Sequence, residues 1–301
     1  MSKGVICLTR TLGDVVIGNV LVKNVKLRHP ELELDYIVED KYSALLEDNP
    51  NIANLIKLKS TYEEWDKVLQ MFAFGKYDKI FIPQQASATD NSWHQNPQYN
   101  DKHLLSFYAE RCGIQIVDPK LELFVSDFDL GNKIPDKHPL VCLHTKTLAD
   151  AKDWSGFTEL SSILRNELGL KVVQLGLPTD TPILGVEKLN LSLKELMLFF
   201  KKGYCDLFIG LDSGLTYMAT AFEVPLIALY GATLVRTSGV YGKNVHTISS
   251  EQNEECKRKR GGIRCHGING GKCFLDFPCI NNITVNQVVE KVREVILKKG
   301  V

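Results

Sequence analysis

The sequence predicts an α/β protein made of two successive domains. Its 301 residues exceed the common size of a single domain. Short apolar runs alternate with segments of helical spacing in both halves, which favours parallel sheets covered by helices. A stretch with two prolines and a Gly-Asn pair, residues 129–139, is typical of a linker. We therefore place one domain at 1–133, a second at 134–283 and a terminal helix at 284–301.

Both halves are predicted to alternate strands and helices along the chain, from the apolar spacing of each segment. In the first half the predicted elements are strand 4–8, helix 13–26, strand 34–38, helix 39–49, strands 52–58 and 79–82, and helix 102–112. Residues 84–100 lack periodicity, which predicts a long loop. In the second half the first elements are strand 140–144, helix 157–168, strand 171–175 and helix 193–201.

The segment 205–233 is predicted to form a strand, a tight turn, a helix and a second strand. An apolar run precedes Asp212-Ser213-Gly214, and Pro225 separates the amphipathic segment from the next apolar run. Such a turn lies at the carboxyl end of a parallel strand, where ligands bind in open sheets. Its helix start suits a phosphate because the first backbone N–H groups have no partner within the helix. A plain helix cap by Asp212 or Ser213 is the alternative.

Composition excludes several classes of protein. Lys and Arg together number 36, as do Asp and Glu, and this balance argues against a general nucleic-acid binder. The N-terminus enters a strand-like run without a signal-peptide pattern, and no apolar segment reaches the ~18 residues that span a bilayer. We expect a cytoplasmic protein, with membrane association at most peripheral. Four scattered cysteines in apolar surroundings are predicted to be buried: Cys7, Cys112, Cys142 and Cys205.

Three separated segments resemble the heptosyltransferase family, glycosyltransferase family 9. They read LTRTLGDVVIGNVL at 8–21, HTKTLADAKDW at 144–154, and DSGL followed by PLIALYGAT within 212–233. They occur in the family's order and extend the resemblance over nearly the whole chain. The resemblance implies two facing Rossmann-like domains, the GT-B architecture, with a cleft between them. It also implies transfer of a sugar from a nucleotide-diphospho-sugar, ADP-heptose above all, without a catalytic cofactor.

The resemblance implies a base on the first domain. Asp14, after Gly13 at the mouth of the first strand, matches the family's catalytic base for the acceptor hydroxyl. A helix N-cap is the alternative role for this aspartate. Arg10, Thr11 and Gly13 are candidates for contact with phosphate or acceptor, although an internal ion pair is equally open for Arg10.

The second domain is implied to bind the donor. Lys152 matches a family lysine that neutralises charge on the leaving diphosphate, with a solvated surface lysine as the alternative. The hydroxyl of Thr145 is expected near the same phosphates, and the helix start is expected to contribute mainly backbone N–H groups. The candidate donor-binding residues are Thr145, Lys152, Asp212, Ser213, Gly214, Leu215 and Thr216.

The chain departs from the family at two places. Several members carry a histidine shortly after the D-[ST]-G-L motif, whereas Thr216, Tyr217 and Met218 occupy that stretch here. Members that act on the acidic lipopolysaccharide inner core tend to carry a basic, aromatic segment in the first domain. Residues 59–79 instead mix acidic residues with lysines. The acceptor therefore stays open among the lipopolysaccharide core, another glycan, a protein serine and a small natural product.

Four cysteines lie close together in a Gly-rich basic stretch at 256–279: Cys256, Cys265, Cys273 and Cys279. Four thiolates could hold a structural Zn or Fe ion, but the paired C-x2-C spacing of common zinc sites is absent. Disulfides and free thiols stay open. The basic residues at 257–264 predict a solvated face, with nucleic-acid binding as a rival interpretation. A nucleotide-sugar binding module without transferase activity is a further alternative.

Overall fold

The computed structural model describes residues 2–9, 11–83, 102–135, 139–251, 254–259, 272–273, 275 and 277–296. Their strands form two fully parallel sheets, one in each half of the chain. The first sheet has four strands: β1 Lys3–Cys7, β2 Glu33–Glu39, β3 Leu55–Leu58 and β4 Lys79–Phe81. The second has six: β5 Leu140–His144, β6 Lys171–Leu175, β7 Glu187–Leu189, β8 Leu207–Leu211, β9 Leu226–Tyr230 and β10 Val245–Ser249.

Nine α-helices connect or cover these strands within the described residues. They are α1 Leu12–Arg28, α2 Trp65–Ala73, α3 Leu104–Arg111, α4 Phe157–Asn166, α5 Leu193–Lys201, α6 Gly214–Ala221, α7 Val235–Ser238, α8 Glu254–Lys259 and α9 Val285–Ile296. None of the helices in this part of the chain is long and apolar enough to cross a membrane.

The sheet order brings two strand-to-helix turns to the carboxyl edges of the sheets. The first sheet runs β3-β2-β1-β4 and the second β10-β9-β8-β5-β6-β7. Strands β1 and β8 are interior strands, each followed by a helix. The residues of β8 are all buried, as are those of β5 and β9. Strands covered on both faces need such continuous apolar runs, so these three strands could be predicted from the sequence.

The two halves pack against each other through α1 and α6. A Cβ atom added at Gly214 would lie 2.7 Å from Leu12 Cβ and 2.8 Å from the backbone nitrogen of Gly13. Only a residue without a side chain allows this approach. One apolar cluster also runs through both halves and includes Val16 of α1 and Met218 of α6. The two helix starts that follow β1 and β8 therefore face each other at the domain contact.

The structure corrects several predicted elements in the first half. The helix expected at 39–49 is a 3-10 helix, Asp40–Leu45, followed by turns. The Ser43 hydroxyl bonds the Asp40 carboxylate there, and such local bonds compete with an α-helix. The strand expected at 52–58 begins only at Leu55. Helix α2 was not predicted, and neither were the short strands β7 and β10 of the second half. The loop expected at 84–100 lies outside the described residues.

The strands predicted at 140–144 and 171–175 and the helix predicted at 193–201 recur with the same ends, and other predicted elements recur with shifted ends. The helix expected at 102–112 is Leu104–Arg111, and the terminal helix is described over Val285–Ile296. The linker expected at 129–139 contains a short 3-10 turn, Gly131–Lys133, and its residues 136–138 lie outside the described part. The domain boundary at 133 stays a prediction.

Candidate active site

The turn after β1 places Asp14 in the first turn of α1 and holds it through Thr11. Thr11 is the N-cap of α1, and its Oγ1 accepts from the backbone N–H of Asp14 at 3.3 Å. The Thr11 hydroxyl donates in return to Asp14 Oδ2 at 2.8 Å. Thr11 has a φ of 55° and ψ of 143°, a strained conformation for a β-branched residue. The strain lies directly beside the predicted base.

Asp14 also contacts a second helix of the first domain. Tyr108, on α3, donates its phenolic hydrogen to Asp14 Oδ1 at 2.7 Å. Asp14 is 9% exposed and Tyr108 1% exposed, so the bond is made in a nearly dry environment. Burial, followed by the charge of Asp14, raises the pKa of Tyr108 well above its ordinary value. The phenol therefore stays protonated and acts as a donor at neutral pH.

The turn after β8 contains a buried ion pair. Lys152 Nζ lies 2.9 Å from Asp212 Oδ2, and it also donates to the Asp212 carbonyl at 3.4 Å. The side chains are 13% and 6% exposed. The same carboxylate oxygen accepts from the hydroxyls of Thr233 at 2.6 Å and Ser238 at 3.2 Å. The alternative of a solvated surface lysine is therefore wrong, because Lys152 is enclosed and bound to the predicted donor turn.

Ser213 and Thr145 follow the carboxyl ends of two neighbouring strands, β8 and β5. Ser213 makes no capping bond to α6, and its hydroxyl instead lies 3.1 Å from Nδ1 of buried His144. Burial lowers the pKa of His144 to about 4, so the imidazole is neutral near pH 7. Thr145 Oγ1 accepts from the side-chain amide of Gln174 at 2.9 Å, which leaves its own hydroxyl hydrogen available to another acceptor.

The remaining residues of the donor turn have structural contacts. Gly214 is the close-approach residue of the domain contact, and a Cβ on Gly13 would be 3.6 Å from the Gly214 Cα and from the ring of Tyr217. Leu215 packs against the core at partial exposure. The Thr216 side chain is fully buried and donates to the Leu211 carbonyl at 2.5 Å. Thr216 therefore offers a ligand its backbone rather than its hydroxyl.

Tyr217 lies in the stretch where the resemblance led us to expect a histidine. Its hydroxyl donates to the Ser238 carbonyl at 2.6 Å, and the residue is buried. Burial, followed by the charge of Asp212, raises its pKa well above the ordinary value. Tyr217 thus ties α6 to α7, the helix that also bonds Asp212 through Ser238 Oγ.

The predicted cysteine site is described only in part. Cys256 is buried, and Cys273 and Cys279 are partly exposed. Across the described residues no three His, Cys, Asp or Glu side chains lie close enough together to hold a metal ion. Cys273 instead packs against Ala151 and Ala232. The fourth cysteine, Cys265, lies outside the described residues, as does Arg10, so the metal site stays a prediction.

Four partner residues in this region were not identified from the sequence. Tyr108 lies 94 positions from Asp14, and no local pattern links the two. Thr233 and Ser238 follow the second strand of the 205–233 unit, and their hydroxyls point back to Asp212 only after the chain folds. His144 was within the quoted segment at 144–154, and its place at the end of a predicted strand was the available signal.

These contacts define what the site can do chemically. A carboxylate held by two hydroxyl donors lies at one helix start, and a lysine lies beside the other. A base and an anion-binding turn that meet at a domain contact are suited to group transfer from a phosphorylated donor.

Comparison with known proteins identifies the class and then the family. A family 9 glycosyltransferase of Veillonella parvula has the same fold, with a TM-score of 0.74 at 19% identity, covering 99% of this chain and 98% of that one. The chain thus has the fold of that glycosyltransferase, the GT-B architecture. The model of glycosyltransferase family 9 (heptosyltransferase) matches residues 114–265, half of the chain. The protein belongs to that family.

Two further relatives are informative. Lipopolysaccharide heptosyltransferase 1 of Campylobacter coli is 23% identical over 283 residues, which cover 74% of this chain and 82% of the relative. The dodecameric iron-containing heptosyltransferase TibC, solved with ADP-D-β-D-heptose, has a TM-score of 0.71 at 19% identity and covers 99% of this chain and 76% of its own. TibC comes from enterotoxigenic E. coli. At this identity the structural likeness concerns the fold alone.

Proposed function

We propose that the protein is an inverting glycosyltransferase that moves a heptose, or a similar sugar, from ADP-heptose to an acceptor hydroxyl in synthesis of a bacterial glycoconjugate of the lipopolysaccharide type. The observation that carries the proposal is the meeting of Asp14 on α1 with the start of α6 at the Gly13 and Gly214 contact. Family membership and relatives named as lipopolysaccharide and ADP-heptose enzymes support this choice.

Asp14 is the catalytic residue in this proposal. Its carboxylate takes the proton of the acceptor hydroxyl while that oxygen forms a bond to the anomeric carbon of the sugar. The bond from the anomeric carbon to the donor phosphate breaks on the opposite face, and its electron pair leaves with the nucleoside diphosphate. Attack opposite the leaving group inverts the anomeric configuration.

The donor domain stabilises the departing diphosphate. Lys152 has one N–H beyond the two that bond Asp212, and that hydrogen can reach a phosphate oxygen. The backbone N–H groups at the start of α6 contribute further donors, aided by the helix dipole. Asp212 then serves to hold Lys152 in place.

The acceptor is proposed as a sugar hydroxyl on a glycolipid, and a glycan or protein hydroxyl would use the same chemistry. We propose a cytoplasmic enzyme that reaches a lipid-borne acceptor by peripheral association. The metal-binding interpretation of the cysteine cluster concerns stability of the segment at 256–279 and enters no step of the transfer.

A panel of nucleotides tests the donor class. We expect ADP to raise the melting temperature by several degrees at 100 times its Kd, since a ligand that binds only the folded state adds about 2.7 kcal/mol at that concentration. UDP, GDP and CDP should shift it less. Lys152→Met should reduce the ADP shift, whereas the matched surface variant Lys146→Met should keep it. A larger shift with another nucleotide would overturn the ADP assignment.

Turnover tests the activity itself. Incubation with ADP-heptose and truncated lipopolysaccharide should release ADP and add one heptose of inverted anomeric configuration. The contrary result is a protein that binds the donor but neither transfers the sugar to any of a range of glycan and protein acceptors nor slowly hydrolyses the donor. That result would contradict the proposal and favour a binding module.

A further inference from the structure

We propose that Tyr108 is the positioning residue for the catalytic carboxylate of Asp14, a role that rests on the proposed function. Tyr108 reaches Asp14 from a different helix, α3, and donates to Oδ1 at 2.7 Å. Thr11 donates to the other oxygen, Oδ2, at 2.8 Å. With one hydroxyl on each oxygen, these two bonds fix the plane of the carboxylate.

The bond also sets the basicity of Asp14. A hydroxyl that donates to a carboxylate favours its charged form, and the effect is stronger where water is excluded. Tyr108 and Asp14 are both buried. The Tyr108 bond therefore stabilises the carboxylate form of Asp14, which is the form that takes a proton.

Two other phenols near Asp14 come from two further elements. Tyr36 on β2 and Tyr217 on α6 both feel the Asp14 charge, although burial is the main cause that raises the pKa of each phenol. Both therefore stay neutral through the pH range of an enzyme assay. Tyr108 donates to Asp14, whereas the hydroxyl of Tyr36 has no hydrogen-bond partner within the described residues.

Helix α3 also connects the base to the donor domain. His103, the N-cap of α3, accepts the backbone N–H of Leu105 at Nδ1, so its hydrogen lies on Nε2. That nitrogen lies 3.0 Å from the Gly239 carbonyl, beyond α7 in the second domain. One short helix thus bonds the donor domain at its first turn and Asp14 one turn further on. Helix α3 therefore contacts both the second domain and the proposed base.

The test is the pH dependence of kcat/KM for the acceptor at saturating donor. Tyr108→Phe removes the hydroxyl and keeps the ring. We expect the acid limb of the profile to move up by about one pH unit, because loss of one donor to the carboxylate raises the pKa of Asp14. The kcat at neutral pH should fall about tenfold through loss of orientation. The KM for the donor should stay unchanged.

Tyr36→Phe is the matched control. It removes a buried phenolic hydroxyl from the same core without removing a described bond to Asp14. Its acid limb should stay at the wild-type pH. An equal shift in both variants would show a general effect of the core and would overturn the proposal.

A second substitution keeps the test decisive if Tyr108→Phe folds poorly. Incorporation of 3-fluorotyrosine at position 108 preserves the ring and its hydroxyl while making the phenol a stronger donor. The acid limb should then move to lower pH, and an unchanged limb would contradict the role of Tyr108. Asp14→Asn distinguishes failure of the proposed base from failure of the positioning role of Tyr108. Wild-type turnover in that variant would defeat the proposed base itself, whereas an inactive Asp14→Asn with unshifted Tyr108 variants would defeat only the positioning role.

Discussion

The starts of α1 and α6 are built on the same plan and carry different chemistry. Each follows an interior parallel strand, and each has a glycine at the domain contact and an aspartate within two residues of it. At α1 the carboxylate of Asp14 accepts from the hydroxyls of Thr11 and Tyr108. At α6 the carboxylate of Asp212 is ion-paired with Lys152.

The difference teaches that the environment of a carboxylate, rather than its motif, decides its role. An ion pair commits Asp212 to holding a cation, and further hydroxyl bonds from Thr233 and Ser238 fill the same oxygen. Hydroxyl donors orient Asp14 while they leave it able to accept a proton. In the proposed function, one turn supports the anion-binding Lys152 and the other presents Asp14 as the base.

Removal of the Asp212 charge should have the largest effect, a loss of free energy of unfolding at the α6 start that has no counterpart at α1. Asp212→Asn leaves the Lys152 ammonium enclosed without its counter-ion, and loss of one partner of a buried pair costs about 3 to 5 kcal/mol. Urea unfolding measures this change. The control is Asp150→Asn, which breaks an exposed pair with Lys146 and should cost less than about 1 kcal/mol. Equal losses in the two variants would contradict a buried structural pair.

Low pH should reduce the stability of the protein because His144, beside the start of α6, is buried as a neutral imidazole. Its pKa is lowered by burial from 6.5 to about 4, so the unfolded chain binds the proton first as the pH falls. The stability that His144 contributes is fully present above pH 6.5 and is lost as the pH falls toward 4, a change of about 3 kcal/mol. His144→Asn keeps a donor near Ser213 and removes the titration. Its free energy of unfolding should fall less between pH 6.5 and 4, and an identical slope would contradict this assignment.

The two contact glycines should respond unequally. A Cβ at Gly214 would meet Leu12 and the backbone of Gly13, and would force the two helix starts apart. A displacement near 1 Å at a reacting centre costs about 100-fold in rate, and we expect that loss of kcat for Gly214→Ala. Gly13→Ala has its nearest neighbours at 3.6 Å and should keep kcat near wild type. Similar losses in both variants would show that the contact is not specific to Gly214.

The sequence predicts the parts of this comparison that depend on local patterns. The interior strands have continuous apolar runs. Glycine and aspartate occur together where α1 and α6 begin, so both helix starts and both carboxylates were identified. Resemblance to the family then supplied the candidate roles of Asp14 and Lys152.

The partners of these residues could not be predicted, because they come from distant positions. Tyr108 is 94 residues from Asp14, and Lys152 is 60 residues from Asp212. No periodicity encodes which side chain closes such a distance. The helix expected at 39–49 was wrong for a different reason, since Asp40 and Ser43 bond locally and favour a tighter turn.

Asp14→Asn gives the most direct test of the central claim that Asp14 is the base while the α6 side binds the donor. The rate of heptose transfer and the Kd for ADP are measured on the same preparation, with the melting temperature as a check of folding. The account predicts that transfer falls by at least about 100-fold, the contribution of a general base, while ADP affinity stays unchanged. Transfer at the wild-type rate, or loss of ADP binding together with transfer in a folded protein, would contradict it.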